Sequence, residues 1–206
     1  MTNLRRAAVA EAIVEVCQRA RWSVDPNSPG PVPLDRLFQG LNVTHAAIPG
    51  LTVSAAARHL VRERYVQSPQ IVEDFNGQDA LAGLMVLLQG DGFAFIQADD
   101  ILPRRRFSAA HELGHFVLHR DRMDRFLADE FISEIQESKS PMEMEADRFA
   151  ADLLMPEAVC RARAAELKAR HGCCPRGVLA YRLASELLVS QQAMRYRLGE
   201  LGAGDE

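Results

Sequence analysis

The sequence predicts an α+β fold, and two observations carry that prediction. Leu81 to Leu88 and Phe93 to Ala98 are apolar runs around Gln89-Gly90-Asp91-Gly92, the pattern of a β-hairpin closed by an Asp-Gly turn. Almost everything after them has helical periodicity. The expected architecture is a small antiparallel sheet or hairpin, then a mainly helical domain, ending in a tail with helix-turn-helix spacing. With 206 residues, 48% of them hydrophobic, and a net charge of −4, the chain has globular composition, which excludes disordered and coiled-coil classes. Its longest uncharged apolar stretch, Ala80 to Leu88, is far short of the about 20 residues a membrane helix needs. Glu11, Glu15 and Gln18 interrupt the segment behind Arg5-Arg6 where a secretory signal needs an apolar core, so a cytoplasmic protein without a membrane partner is expected.

Each element has its own signal. Leu4, Ala8, Ala12, Ile13, Val16, Cys17 and Ala20 share one face of a first helix. Four prolines between Trp22 and Pro33 mark a loop. Short helices follow at Leu34 to Leu41 and about Ser54 to Arg64, and Ser68 to Asp79 is polar and turn-rich. After the hairpin, Phe107 to His119 reads as a helix. Arg120 to Lys139 is a charged stretch whose Met123, Phe126, Leu127, Phe131, Ile132 and Ile135 fall at helical spacing. Ser140-Pro141 supplies an N-cap and a first-turn proline for a helix to Met155. Pro156 separates it from Glu157 to Arg170, which Gly172 closes. Gly177 to Leu201 divides into two helices near Leu188 to Ser190. The organisation expected is 1–79 as an N-terminal helical region of unassigned role, 80–172 as the core that holds the chemistry, and 173–206 as a tail packed on it.

The chemistry centres on His111-Glu112-Leu113-Gly114-His115. Residues four apart on a helix share a face about 6 Å apart along the axis, so both imidazoles can aim at one metal ion. Glu112 falls beside that face, where it can take a proton from a metal-bound water. In this composition, about 0.01 such pentapeptides are expected by chance. A catalytic zinc site normally has three protein ligands. His119 lies another turn along, about 6 Å beyond His115, so it reads as a packing residue or a support behind the ligands. The third ligand is sought in Pro141-Met-Glu-Met-Glu-Ala-Asp147. Glu143 and Asp147 share a helical face, so Glu143 can bind the ion while Asp147 accepts the far N–H of a ligating imidazole. Glu145, about 200° around the helix from Glu143, is the alternative third ligand. If Glu143 binds, removal of Glu145 is expected to be close to neutral. Ser140-x-x-Glu143 also has capping-box spacing, which would engage the Glu143 carboxylate with the backbone instead.

Arg106-Phe-Ser-Ala-Ala-His-Glu-Leu-Gly-His-Phe-Val-Leu-His119, followed by Glu143-Met-Glu-Ala-Asp-Arg-Phe-Ala-Ala-Asp-Leu-Leu-Met-Pro156, resembles the ImmA/IrrE family of zinc metallopeptidases. The resemblance covers about residues 80 to 200. It implies a zincin-like domain with a gluzincin-like site: Zn²⁺ held by His111, His115 and a glutamate of the second motif, with Glu112 as the base. It also implies a repressor-type protein substrate of the helix-turn-helix class, cleaved in a DNA-damage, mobile-element or phage-defence response. No sensory domain like that of radiation-response members is visible after Leu201, so the trigger and the substrate are expected to be separate molecules.

The tail carries a second, competing signal. Leu183 to Leu198 has helix-turn-helix spacing, with Gln191, Gln192, Arg195 and Arg197 on the polar side of its second helix. DNA as an activating signal, with Arg104-Arg105-Arg106 contributing, is therefore one reading, and a zinc-stabilised DNA-binding regulator with a vestigial peptidase site is the alternative function. A helix pair packed on the core is the simpler expectation. The four cysteines are too few and too irregular for a disulfide framework. Cys173 and Cys174, in a Gly-Cys-Cys-Pro turn, are candidates for a thiol that blocks the zinc's open position.

Overall fold

In the computed structural model, residues 3–27, 30–67, 77–122, 126–130 and 140–205 are described. They form eight α-helices and a four-stranded mixed sheet. The strands are β1 (Val43–Ile48), β2 (Leu81–Leu88), β3 (Asp91–Gln97) and β4 (Phe126–Glu130), in the order β1-β3-β2-β4. The helices are α1 (Asn3–Arg19), α2 (Leu34–Gly40), α3 (Val53–Arg62), α4 (Leu102–His119), α5 (Pro141–Leu154), α6 (Glu157–His171), α7 (Arg176–Leu187) and α8 (Gln191–Leu201). None is long and apolar enough to cross a membrane, among the described residues.

The sheet is the middle layer of a sandwich, and the strand sequences show why. Leu84 and Val86 of β2, with Phe93 and Phe95 of β3, pack with Ala56, Ala57 and Leu60 of α3. Met85, Ala94 and Ile96 point the other way, into the larger core shared with α4 and α5. Side chains alternate between faces along a strand, and here both faces are covered, so β2 is apolar almost throughout. α3 is started by Thr52, whose hydroxyl accepts from the Ala55 N–H at 3.0 Å.

The hairpin forms as expected but turns two residues early. Leu88 pairs with Asp91, and Gln89 (φ 53°) and Gly90 (φ 94°) make the two-residue loop. Positive φ at both positions belongs to the turn whose twist matches paired strands. Asp91-Gly92 therefore lies on β3, not in the turn. Gly92 serves close approach instead, because a Cβ there would stand 2.6 Å from the Phe116 ring of α4. The Arg120 guanidinium crosses the same ring at 5.0 Å and donates to the Gly90 carbonyl at 2.6 Å, clamping the turn to the end of α4.

Three expectations are corrected. The sheet is mixed rather than antiparallel, because β1 pairs parallel with β3 from Val43↔Gly92 to Ile48↔Gln97. A strand also stands in the second half, where only helices are expected, since β4 follows α4. Finally, Phe126 and Leu127, placed on a helical stripe, belong to β4, which extends along the otherwise open edge of β2. Backbone pairing along that edge sets the conformation there. Met123, Phe131, Ile132 and Ile135 of that stripe lie outside the described residues, as does most of the polar segment Ser68 to Asp79. On α1 the core positions are Val9, Ala12 and Val16, whereas Leu4 is 85% exposed. α1 and α2 share one core with α4 to α8.

Candidate metal centre

α4 begins at Leu102, five residues before the sequence signal, with proline in its first turn. Its inner face buries Ala109, Ala110, Leu113 and Phe116, and the same burial takes His111, Glu112, His115 and His119 almost wholly out of solvent. α5 begins at the Ser140 cap, whose hydroxyl accepts from the Glu143 N–H at 3.2 Å. Only that half of a capping box forms. The Glu143 carboxylate turns inward to the histidines instead.

Gly114 lets the two helices close on one another. A Cβ at that position would meet Phe149 of α5 at 3.0–3.2 Å, tighter than ordinary contact. Across this close approach, Glu143 Oε2 stands 3.1 Å from His111 Nε2 and Glu143 Oε1 stands 3.2 Å from His115 Nε2. The two Nε2 atoms are 2.9 Å apart. Among the described residues, His111, His115 and Glu143 are the group of three donors that could hold a metal ion. Donors at 2.0–2.1 Å from a tetrahedral zinc stand about 3.3 Å from one another, so these separations suit one small cation.

Hydrogen bonds behind the group sharpen the point. His111 Nδ1 lies 3.1 Å from Asp147 Oδ1. An ionised carboxylate only accepts, so Asp147 takes a proton from Nδ1 and, with an ion bound, Nε2 would be the nitrogen left to ligate it. Burial alone would raise the Glu143 carboxyl, but hydrogen bonds from His111 and His115, and their charge, outweigh it and hold the group well below the usual carboxylate range. The centre thus gathers imidazole nitrogens around an ionised carboxylate, a donor set suited to a divalent cation.

Glu112 points elsewhere, against β2. A Cβ at Gly83 would fall on the Glu112 carboxylate and within 3.0 Å of its Cγ and Cδ, so the bare backbone of Gly83 gives this side chain its room. The sequence reading does not single out Gly83. Its signal is a glycine inside a strand pattern, which marks a close approach.

The remaining candidates fall outside the donor group. Glu145 faces away from it and meets His119 Nε2 at 3.0 Å and Arg5 of α1 at 3.3 Å. Neither Cys173 nor Cys174 belongs to it. Cys173 is exposed in the α6–α7 loop, while Cys174 is buried, its N–H donating to Asp205 Oδ2 at 2.7 Å. In the tail, Gln191, Gln192 and Arg195 are exposed. Arg197, expected on the same polar side, is only 3% exposed, which corrects that placement. It pairs with Asp152 at 2.6 Å and donates to the Met155 carbonyl at 3.2 Å, so it bolts α8 to α5. Arg106 of the basic triplet is likewise engaged, donating to the Val32 carbonyl at 2.9 Å.

A family model described as the IrrE N-terminal-like domain, Peptidase M78, matches residues 84–199, more than half of the chain. It spans β2 to α8 and includes every residue of the donor group. None of the curated proteins matches the chain.

Proposed function

Since the chain belongs to the IrrE N-terminal-like family of metallopeptidases, M78, we propose that it is a zinc-dependent endopeptidase whose ligands are His111, His115 and Glu143 and whose general base is Glu112. The observation that carries this reading is the convergence of two imidazole nitrogens and one carboxylate within 3.2 Å, beside a buried glutamate on the same helix. Bound zinc would polarise the scissile carbonyl and acidify a water. Glu112 would take the proton from the attacking water and pass it to the leaving amine. Asp147 keeps the proton of His111 on Nδ1, and Gly83 leaves Glu112 the space to face substrate.

The substrate we infer is a helix-turn-helix repressor, and the setting a DNA-damage, mobile-element or phage-defence response. The motif pair and the family support this. A cytoplasmic site of action fits four free thiols, which a reducing compartment preserves. The alternative, a DNA-binding regulator with a vestigial peptidase site, draws less support, because burial of Arg197 removes one of the four polar side chains it would use.

The test is co-expression with the products of the genes flanking this one, read for cleavage of a helix-turn-helix repressor among them and comparing the natural chain with Glu112→Gln. The expected result is cleavage by the natural chain alone, with equal zinc content in both proteins. Equal cleavage by Glu112→Gln would overturn the assigned base, and absence of zinc from the natural chain would overturn the metal.

A further inference from the structure

β1 ends the sheet, with β3 on one side and no strand on the other among the described residues. In a parallel pair, every second residue of a strand turns both its N–H and its C=O to the neighbour. Ile48 does so here, its carbonyl accepting from the Ala98 N–H at 3.0 Å. By alternation Thr44 and Ala46 also face β3, while His45 and Ala47 turn their backbone groups outward. Among the described residues, those four groups have no hydrogen-bond partner. Edges of this kind are commonly blunted by charged side chains or by proline. Val-Thr-His-Ala-Ala-Ile carries no Lys, Arg, Asp or Glu, and Pro49 lies beyond its last residue, so the strand is open to pairing.

The surroundings of the edge select its partner. A groove of about 580 Å³ runs between the end of β1 and the α3 residues Ala55, Arg58, His59 and Arg62. Residues three and four apart share one helical face, so both arginines project toward the same side of the strand. Both are exposed. Arg58 donates to the Ser54 hydroxyl at 2.7 Å and has no carboxylate partner among the described residues. Arg62 meets Glu63 at 2.9 Å, but Glu63 does not line the groove. The groove therefore offers two guanidiniums and no carboxylate of its own. We propose that the outer edge of β1 docks an extended acidic segment of a partner protein, which pairs its backbone with His45 and Ala47 and sets alternate carboxylates against Arg58 and Arg62. A second copy of this chain fits poorly. Antiparallel pairing of two β1 edges about a two-fold axis keeps both α3 helices on one face and brings their arginines together. The proposal is independent of the metal centre, which α4 carries on the opposite face of the sheet.

The probe is the fluorescent peptide Thr-Glu-Val-Glu-Val-Glu-Thr, titrated with the full chain and read by anisotropy. It should bind, and the His45 and Ala47 amides should gain protection from hydrogen exchange, while that of Ala46, already bonded to β3, changes little. The same peptide with Lys for Glu, or N-methylated throughout, should bind at least about tenfold more weakly. The double variant Arg58→Glu/Arg62→Glu should lose the glutamate peptide by a similar factor and gain the lysine one. Ala47→Pro removes an outward N–H without touching the β3 ladder and should also lose binding. If Ala47→Pro folds poorly, the N-methylated peptide tests the same pairing on the natural chain. No binding of the glutamate peptide would overturn the proposal, and so would equal binding of its N-methylated form, which needs charge alone. His45 and Ala47 amides already protected in the free chain would overturn it too, by showing the edge filled by the chain itself. So would a dimer in light scattering that Ala47→Pro dissolves, which would assign the edge to a second copy.

Discussion

Glu143 and Asp147 divide the work at the centre, and their variants should divide accordingly. Glu143→Ala removes a direct donor and should leave the purified protein with little zinc by atomic absorption. Asp147→Ala leaves all three donors and should weaken zinc affinity by about 10–100-fold without abolishing it. Full zinc occupancy in Glu143→Ala would show that the third ligand lies elsewhere. The cysteines differ as sharply. Burial pushes the Cys160 thiol up to about 11, whereas Cys173 is exposed. Alkylation of the native protein near neutral pH, read by mass spectrometry, should label Cys173 and spare Cys160 until the chain unfolds. The four-residue spacings of His111 with His115 and of Glu143 with Asp147 are legible in the sequence because a shared helical face leaves few alternatives. The preference for Glu143 over Glu145 is legible through the face that Glu143 shares with Asp147, but the meeting of Glu145 with His119 is not, because it depends on how α5 is rotated against α4.

Elements show the same division between what a local pattern dictates and what tertiary contact decides. Caps and prolines locate α5 to within a residue, since Ser140 and Pro141 act within a single turn. β1 escapes notice because six residues beside a short helix carry no pattern until β3 arrives to pair with them. Phe126-Leu127 fits a helical stripe and a strand equally well, and the open edge of β2 makes the choice. The tail helices are visible from their break, but burial of Arg197 is not, because an arginine reads as polar wherever it stands. Arg197→Ala should cost about 1–3 kcal/mol, seen as a lower urea midpoint, by taking from Asp152 one of its two arginine partners (Arg148 remains) and from the Met155 carbonyl its side-chain donor. An unchanged midpoint would mean that α8 does not need this bolt. On the sheet, Gly83→Ala should keep the fold, since its methyl would meet the Glu112 side chain rather than backbone, yet displace Glu112 and lower proteolysis far more than zinc content.

The molecule as a whole has one principal core running from α1 through α8, with a smaller cluster beneath α3 on the far side of the sheet. The donor group lies where α4 and α5 meet, and those helices are separated in sequence by residues 120–140, among them the strand at the edge of the sheet. An ion held there would therefore close a loop from His115 to Glu143, acting as a removable staple across the chain. Any ligand that binds only the folded state stabilises it by mass action, by about 4 kcal/mol when present at a thousand times its dissociation constant. A chelator should accordingly lower the thermal midpoint of the natural chain and leave that of Glu143→Ala unmoved. Unfolding would then be governed by metal supply as much as by packing: in a zinc-poor cell this protein would lose its catalytic power and its resistance to turnover at the same time.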